Sequence, residues 1–185
     1  IMAAASPHIP ADLIAQVRTA ACPANLTKDE KKWLNDRTVC RFLHARGGSA
    51  KKATMLMRKT LVWRHEKRPG TIFCSKCAKD PHSHNLRLCG FDAHGRALCY
   101  TAFGQALGRF DPAANMEHMT AVLEECEGAI AARRAKGLAV EDKWIFVVDF
   151  VGYSYLWDGN PRMATMTAAL LERYPERLHR AVMVG

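Results

Sequence analysis

The sequence predicts an α/β fold in which an N-terminal helical subdomain packs on a mixed, mostly parallel sheet with flanking helices. Helical patterns fill residues 27–66, and short apolar runs alternate with helical patterns after residue 86. Hydrophobic residues make up 49% of the chain and charged residues 24%, which is the balance of a folded globular protein. Alternating strands and helices are typical of α/β proteins with parallel strand pairing.

Three short helices are predicted in the helical subdomain. Thr27-Lys28-Asp29-Glu30 is a capping box, which begins the first helix. Asp36 or Thr38 is expected to cap the second helix, Gly47-Gly48 to end it, and Ser49 to cap the third. One side of the third helix is apolar at helical spacing. Its residues are Ala53, Leu56, Met57, Thr60 and Leu61.

Composition sets the expected domain boundaries. Residues 1–26 are rich in Ala and Pro and are interpreted as an N-terminal extension, with one short helix around Asp12–Ala21. Residues 67–85 contain Pro69-Gly70 and Pro81 and are interpreted as a linker. Residues 86–185 then form the sheet domain.

Turn and helix-cap residues predict the order of the elements in the sheet domain. Asp92-Ala93-His94-Gly95 separates two apolar runs and predicts a β-hairpin. Asp111-Pro112 predicts the start of a helix. The run Trp144–Phe150 predicts a strand buried on both faces. A helix over Pro161–Tyr174 and a last strand over Arg180–Val184 complete the pattern.

Three ordered segments together resemble the CRAL-TRIO family. The first comprises Trp33-x4-Thr38-x2-Arg41-Phe42-Leu43-x2-Arg46, Lys52-Ala53-x-Met55-Leu56 and Trp63-Arg64. The second, Asp92-x2-Gly95-Arg96-x3-Tyr100, is similar to the family's "D-x-x-GR-P-V-x-Y" hairpin, with Ala97 in place of the usual proline. The third is Ile145–Asp149 with Gly152 and Ser154, followed by the "YPERL" turn at Tyr174–Leu178.

The resemblance implies a lipid-binding or lipid-transfer protein that encloses a single lipid, with phosphatidylinositol or another phosphoinositide as the favoured class. It implies no catalytic role and no cofactor; a bound lipid is the expected ligand. In the phosphatidylinositol-transfer branch, the residues matching Arg46, Glu176 and Arg177 belong to the headgroup site. Guanidinium groups suit a buried phosphate because they donate two charge-assisted hydrogen bonds at once.

Four further residues are ligand-binding candidates by the same resemblance. Tyr100 closes the hairpin motif, and Asp149 ends the central strand. Trp144 and Phe146 occupy positions at which the family's phosphatidylcholine site has hydroxyl side chains. This change disfavours phosphatidylcholine and favours a more apolar pocket. The family's gate helix and final strands are expected beyond Gly185, so the chain is expected to be an incomplete domain.

Charge and leader signals give the expected location and partners. The chain has 27 Lys and Arg against 18 Asp and Glu, a net charge of +9, which favours transient contact with anionic membrane surfaces. No secretory leader pattern or apolar span is visible, and seven cysteines without a leader indicate reduced thiols. A cytoplasmic protein with peripheral membrane association is therefore expected; its oligomeric state is left open.

Two alternatives remain open. Cys74-x2-Cys77-x4-His82-x6-Cys89, with His84 nearby, comes near the spacing of a zinc knuckle. A basic zinc protein would suit nucleic acid, although nucleic acid is not the favoured partner. The chain also fits a lipid-sensing regulatory module within a larger signalling protein. Catalysis has little support, because Asp149 is accompanied by no nucleophile elbow, phosphate-binding loop or paired carboxylate.

Overall fold

The computed structural model describes residues 8–108 and 110–185, apart from the side chain of Tyr155. It divides into two compact units, one ending at Arg68 and the other beginning at Pro69. Each unit is described by itself.

In the first unit, residues 8–68 form a bundle of four helices. They are α1 (Ala11–Ala21), α2 (Lys28–Trp33), α3 (Asp36–His44) and α4 (Ala50–Lys67). The predicted capping box is confirmed, with Thr27 and Glu30 bonding each other's backbone N–H groups at 3.2 and 2.7 Å. Ser49 caps α4 as predicted. The cap of α3 differs from the prediction, because it is Asn35 and not Asp36 or Thr38. The side chain of Asn35 accepts a hydrogen bond from the backbone N–H of Thr38.

The core of the helical unit includes α1. The predicted apolar side of α4 is confirmed, since all five of its residues are buried. Val17 and Ala21 of α1 are buried in the same cluster. The segment interpreted from composition as an extension therefore contributes a packed helix, because its Val and Ala residues repeat at helical spacing.

The second unit contains the sheet. Its helices are α5 (Ser75–Lys79), α6 (Pro112–Ala135), α7 (Tyr155–Asp158) and α8 (Pro161–Leu171). Its strands are β1 (Arg87–Phe91), β2 (Ala97–Ala102), β3 (Trp144–Asp149) and β4 (Leu178–Val184). Short 3-10 helices lie at Pro69–Thr71 and Phe103–Gln105. The segment interpreted as a linker thus contains α5, which the sequence did not predict.

The sheet has the order β1-β2-β3-β4. β1 and β2 form the predicted hairpin and pair antiparallel, whereas β2–β3 and β3–β4 pair parallel. The α/β fold class with a mostly parallel sheet is therefore confirmed. Gly95 adopts a φ of +75° in the hairpin turn, and a Cβ at this position would lie 2.0 Å from the Ala139 carbonyl oxygen. Only glycine fits this close approach.

The helices connecting the parallel strands lie on one face of the sheet. The crossovers β2-α6-β3 and β3-α8-β4 advance in the same direction, and right-handed connections then place both helices on the same side. The Cys126 Sγ of α6 lies 3.3 Å from the Cys99 Sγ of β2. The predicted burial of β3 on both faces is therefore wrong, because Ile145 and Val147 on its other side are only half-buried.

Candidate functional site

The two faces of the sheet carry different side chains. We call the side toward α6 and α8 the covered face; it contains Ala97, Cys99, Trp144 and Phe146, all buried. The opposite side, the open face, is apolar along most of its length. Its apolar and aromatic residues are Leu98, Tyr100, Ile145, Val147, Val182 and Val184, half-buried or exposed. Arg87 and Arg180 lie on the same side, paired with Tyr100 and Ile145. Strand register aligns them, since Leu98 pairs with Ile145 and Val147 with Val182.

The open face ends in a polar pair at the carboxyl ends of the parallel strands. The Tyr100 hydroxyl donates to Asp149 Oδ2 at 2.7 Å, and the Val151 backbone N–H donates to Asp149 Oδ1 at 2.8 Å. These two bonds, the backbone one first, lower the pKa of Asp149, and the bond to Asp149 raises the pKa of Tyr100. Two of the predicted site residues are thus brought together, as an ionised carboxylate and a neutral phenol.

Arg177 of the YPERL turn is held inside the protein. It is only 4% exposed, forms an ion pair with Glu127 of α6, and donates to the Asp142 carbonyl at 3.0 Å. Its guanidinium carbon lies 5.9 Å from the centre of the Trp144 ring. The structure therefore gives Arg177 protein partners that join α6 to the sheet.

Glu176, next to Arg177, is exposed. Its backbone φ is +61°, a left-handed conformation that costs a non-glycine residue energy and is often found at functional positions. Glu176 Oε2 lies 3.3 Å from the Lys143 ammonium group. Arg46 belongs to the first unit and follows α3; it is half-buried and donates to the Ala45 carbonyl at 3.1 Å.

Trp144 and Phe146 lie on the covered face. The ring of Trp144 is 6.2 Å from that of Phe146 and 5.5 Å from that of Tyr174, which follows α8. Both residues fill the space between sheet and helices. The apolar surface available to a ligand on β3 comes instead from Ile145 and Val147. Side chains alternate between the two faces of a strand, so these residues face away from the helices once Trp144 and Phe146 face them.

An apolar protrusion precedes α8. Leu156 and Trp157, both in α7, are 88% and 83% exposed. Large apolar side chains exposed together are typical of interaction sites. Neither residue was a candidate from the sequence, where both fell in a segment without periodic structure.

Four Cys and His side chains converge at the start of the second unit. Their ligand atoms lie within 4.8 Å of one another and belong to Cys74, Cys77, His84 and His118. Burial, together with the neighbouring Cys74 thiol, raises the pKa of Cys77 to about 11. Burial lowers the pKa of His84 and His118, so both imidazoles are neutral at pH 7.

The cluster includes two of the four residues that spacing alone suggested. Cys74 and Cys77 belong to the cluster, but His82 and Cys89 are exposed and lie outside it. Cys89 occupies the irregularity in β1 where the register shifts between Leu88 and Gly90. His84 takes the place of His82, and His118 comes from α6, too far along the chain for a spacing rule to find.

Comparison with known proteins identifies the family. The profile of the CRAL/TRIO domain matches residues 82–185, more than half of the 185-residue chain. The chain therefore belongs to the CRAL/TRIO family, and lipid binding or transfer is the class of function that this membership supports. Both the family and the fold expected from the sequence are confirmed.

A solved structure agrees with this fold. The crystal structure of Sfh5 superposes with a TM-score of 0.63, covering 93% of this chain and 70% of that one at 14% sequence identity. At this identity the likeness concerns the fold alone. No curated protein matches the chain closely enough to count as a relative. Among the described residues, no helix combines the length and apolarity needed to cross a bilayer.

Proposed function

We propose that the chain binds a phosphoinositide, with phosphatidylinositol as the favoured ligand, and that it acts in the cytoplasm with transient contact to anionic membranes. The observation that carries lipid binding is the open face, whose apolar surface is continuous across β2, β3 and β4. Acyl chains gain about 25 cal/mol for each Å² of apolar surface that leaves water, and a face of this kind supplies such contact.

The headgroup assignment rests on the exposed carboxylate of the YPERL turn. Glu176 is accessible and has a lysine partner 3.3 Å away that leaves part of its hydrogen-bonding capacity available. A carboxylate accepts hydrogen bonds from inositol hydroxyl groups, which choline lacks. Arg177 already bonds Glu127 and Asp142, so we propose headgroup contact through Glu176 and a structural role for Arg177.

Contact with membranes is proposed through α7. Trp157 combines an apolar ring with an N–H donor, and such side chains favour the interface between lipid and water. The net charge of +9 adds attraction to anionic lipids, at about 1 kcal/mol for each basic residue near the surface.

The test is lipid binding by the full chain. We expect native mass spectrometry and organic extraction to show about one phospholipid per chain, and vesicles containing phosphatidylinositol to bind it more tightly than vesicles of phosphatidylcholine alone. Glu176→Gln should weaken phosphatidylinositol binding about 10- to 100-fold, because hydrogen bonds to a charged group contribute about 1.5–3 kcal/mol. Arg46→Ala tests separately the role expected for Arg46 in the first unit and should also weaken phosphatidylinositol binding in this measurement.

Controls separate the headgroup from general effects. Glu66→Gln removes an exposed carboxylate from α4 and should leave binding unchanged. Trp157→Ala should weaken binding to all vesicles while the preference for phosphatidylinositol persists. Equal affinity of wild type and Glu176→Gln for phosphatidylinositol would exclude the headgroup assignment, and a chain free of any lipid would exclude the function.

A further inference from the structure

The Cys–His cluster has the spacing of a tetrahedral metal site. The Nδ1 atom of His84 lies 3.3 Å from Cys74 Sγ and 3.4 Å from Cys77 Sγ, and the Nδ1 atom of His118 lies 3.6 Å from Cys77 Sγ. Zinc bonds of about 2.3 Å to sulfur and 2.0–2.1 Å to nitrogen place tetrahedral S and N ligands about 3.6 Å apart. A central ion therefore fits with small side-chain adjustments.

Local structure orients the ligands. Cys74 is the N-cap residue of α5 and Cys77 lies in its first turn, so the three-residue spacing brings both sulfur atoms to one side. His118 Nε2 lies 2.7 Å from the Leu86 carbonyl oxygen, which places the proton on Nε2 and leaves the Nδ1 lone pair facing the sulfur atoms. A bond of this kind, from the outer nitrogen of a histidine to a carbonyl, is the usual support of a metal ligand.

Charge and burial select a divalent ion. Cys74 and His84 are 8% and 5% exposed, and a buried thiolate without a counter-charge is unfavourable. Two thiolates and a divalent cation are neutral together, so the ion removes this cost. Two sulfur and two nitrogen ligands in tetrahedral arrangement are typical of zinc.

We propose that Cys74, Cys77, His84 and His118 bind one Zn²⁺ in a closed structural site. All four positions are filled by protein, which leaves no position for a reacting water and distinguishes the site from a catalytic one. The ion joins α5 and the following loop to α6, beside the ion pair of Lys76 with Asp111 at 2.6 Å and the bond from Ser75 to Glu117 at 2.9 Å. The inference does not depend on lipid binding.

Metal analysis of the reduced full chain tests the site. We expect about one equivalent of zinc per chain, falling below about 0.2 in Cys77→Ser and in His118→Ala, since each removes one ligand. X-ray absorption of the zinc-bound wild type should show two sulfur and two nitrogen neighbours. Chelation should lower the Tm of the wild type by about 5–15 °C and leave that of the two variants unchanged.

Matched controls come from the residues that spacing alone suggested. Cys89→Ser and His82→Ala change the same residue types at exposed positions nearby and should retain full zinc occupancy. If the ligand variants fail to fold, the X-ray absorption spectrum of the wild type decides, and a shell other than two sulfurs and two nitrogens overturns the site. A reduced chain that takes up neither Zn²⁺ nor Co²⁺ overturns it as well. The site is also overturned if the native chain is 2 Da lighter than the fully reduced chain because Cys74 and Cys77 form a disulfide. The pair would then be a redox site.

Discussion

The covered and open faces of the same four-stranded sheet have opposite characters. On the covered face, Trp144 lies beside Phe146 and Tyr174, Cys99 contacts Cys126 of α6, and Arg177 bridges to Glu127. The large apolar side chains of the open face are half-buried or exposed. Burial against helices holds the fold together, whereas exposed apolar surface is available to a ligand. Substitutions on the covered face should therefore change stability, and those on the open face should change lipid binding.

The largest effect is expected at Arg177. Arg177→Ala should lower the free energy of unfolding by about 3–5 kcal/mol, because it removes the buried guanidinium that pairs with the Glu127 carboxylate. Denaturant unfolding of the purified chain measures this loss. Arg180→Ala removes an exposed arginine from β4 and should change stability by less than about 0.5 kcal/mol. A loss below about 1 kcal/mol for Arg177→Ala would show that the bridge to α6 is dispensable.

The next comparison is between the stability effects of substitutions at Phe146 and Val147, which are adjacent in β3 and point to opposite faces of the sheet. Phe146→Ala should cost about 3–5 kcal/mol in denaturant unfolding, because it opens a cavity between the sheet and the helices. Val147→Ala should cost about 1 kcal/mol or less, because its side chain is only half-buried. Equal costs would contradict the assignment of faces.

For lipid content, the expected order of effects in β3 is reversed: substitution at Val147 should matter more than substitution at Phe146. Val147→Asp places a charge on the open face and should reduce the phospholipid extracted with the chain several-fold, since burying an unpaired carboxylate against acyl chains is strongly unfavourable. Phe146→Leu keeps an apolar side chain on the covered face and serves as the control, with unchanged lipid content. Retention of lipid by Val147→Asp would move the binding surface away from the open face.

Local signals predicted most elements of the fold. The capping box at Thr27, the cap at Asp111 before Pro112 and the hairpin turn at Asp92–Gly95 each depend on a few adjacent residues, so the sequence contains them completely. The sequence does not single out Asn35 as the cap of α3, because its neighbours Asp36 and Thr38 are also capping residue types. The short helix α5 lacks an apolar period and was predicted as a linker.

The candidate sites were harder to predict because they depend on contacts between distant segments. Which side of β3 faces α6 follows from the handedness of two crossovers, so Trp144 and Phe146 could not be assigned to a face from their own strand. The bridge from Arg177 to Glu127 spans 50 positions, and His118 joins Cys77 across 41. No spacing rule covers such distances, whereas the Cys74-x2-Cys77 pair is local and was found.

The smallest effect is expected for the polar pair at the end of the open face. Tyr100→Phe removes the hydroxyl that donates to Asp149, so the variant should be less stable near neutral pH, as measured by its Tm. The bond lowers the pKa of Asp149 and raises that of Tyr100. The contribution of a lowered carboxyl pKa is lost as pH falls, and that of a raised phenol pKa as pH rises. The Tm difference between wild type and variant should therefore narrow below about pH 4 and above about pH 10.

The control is the same Tyr100→Phe substitution in an Asp149→Asn background, where the Tm difference should not vary across the acidic range. A Tm difference that stays constant from acid to alkali in the wild-type background would show that Tyr100 stabilises the sheet by packing alone.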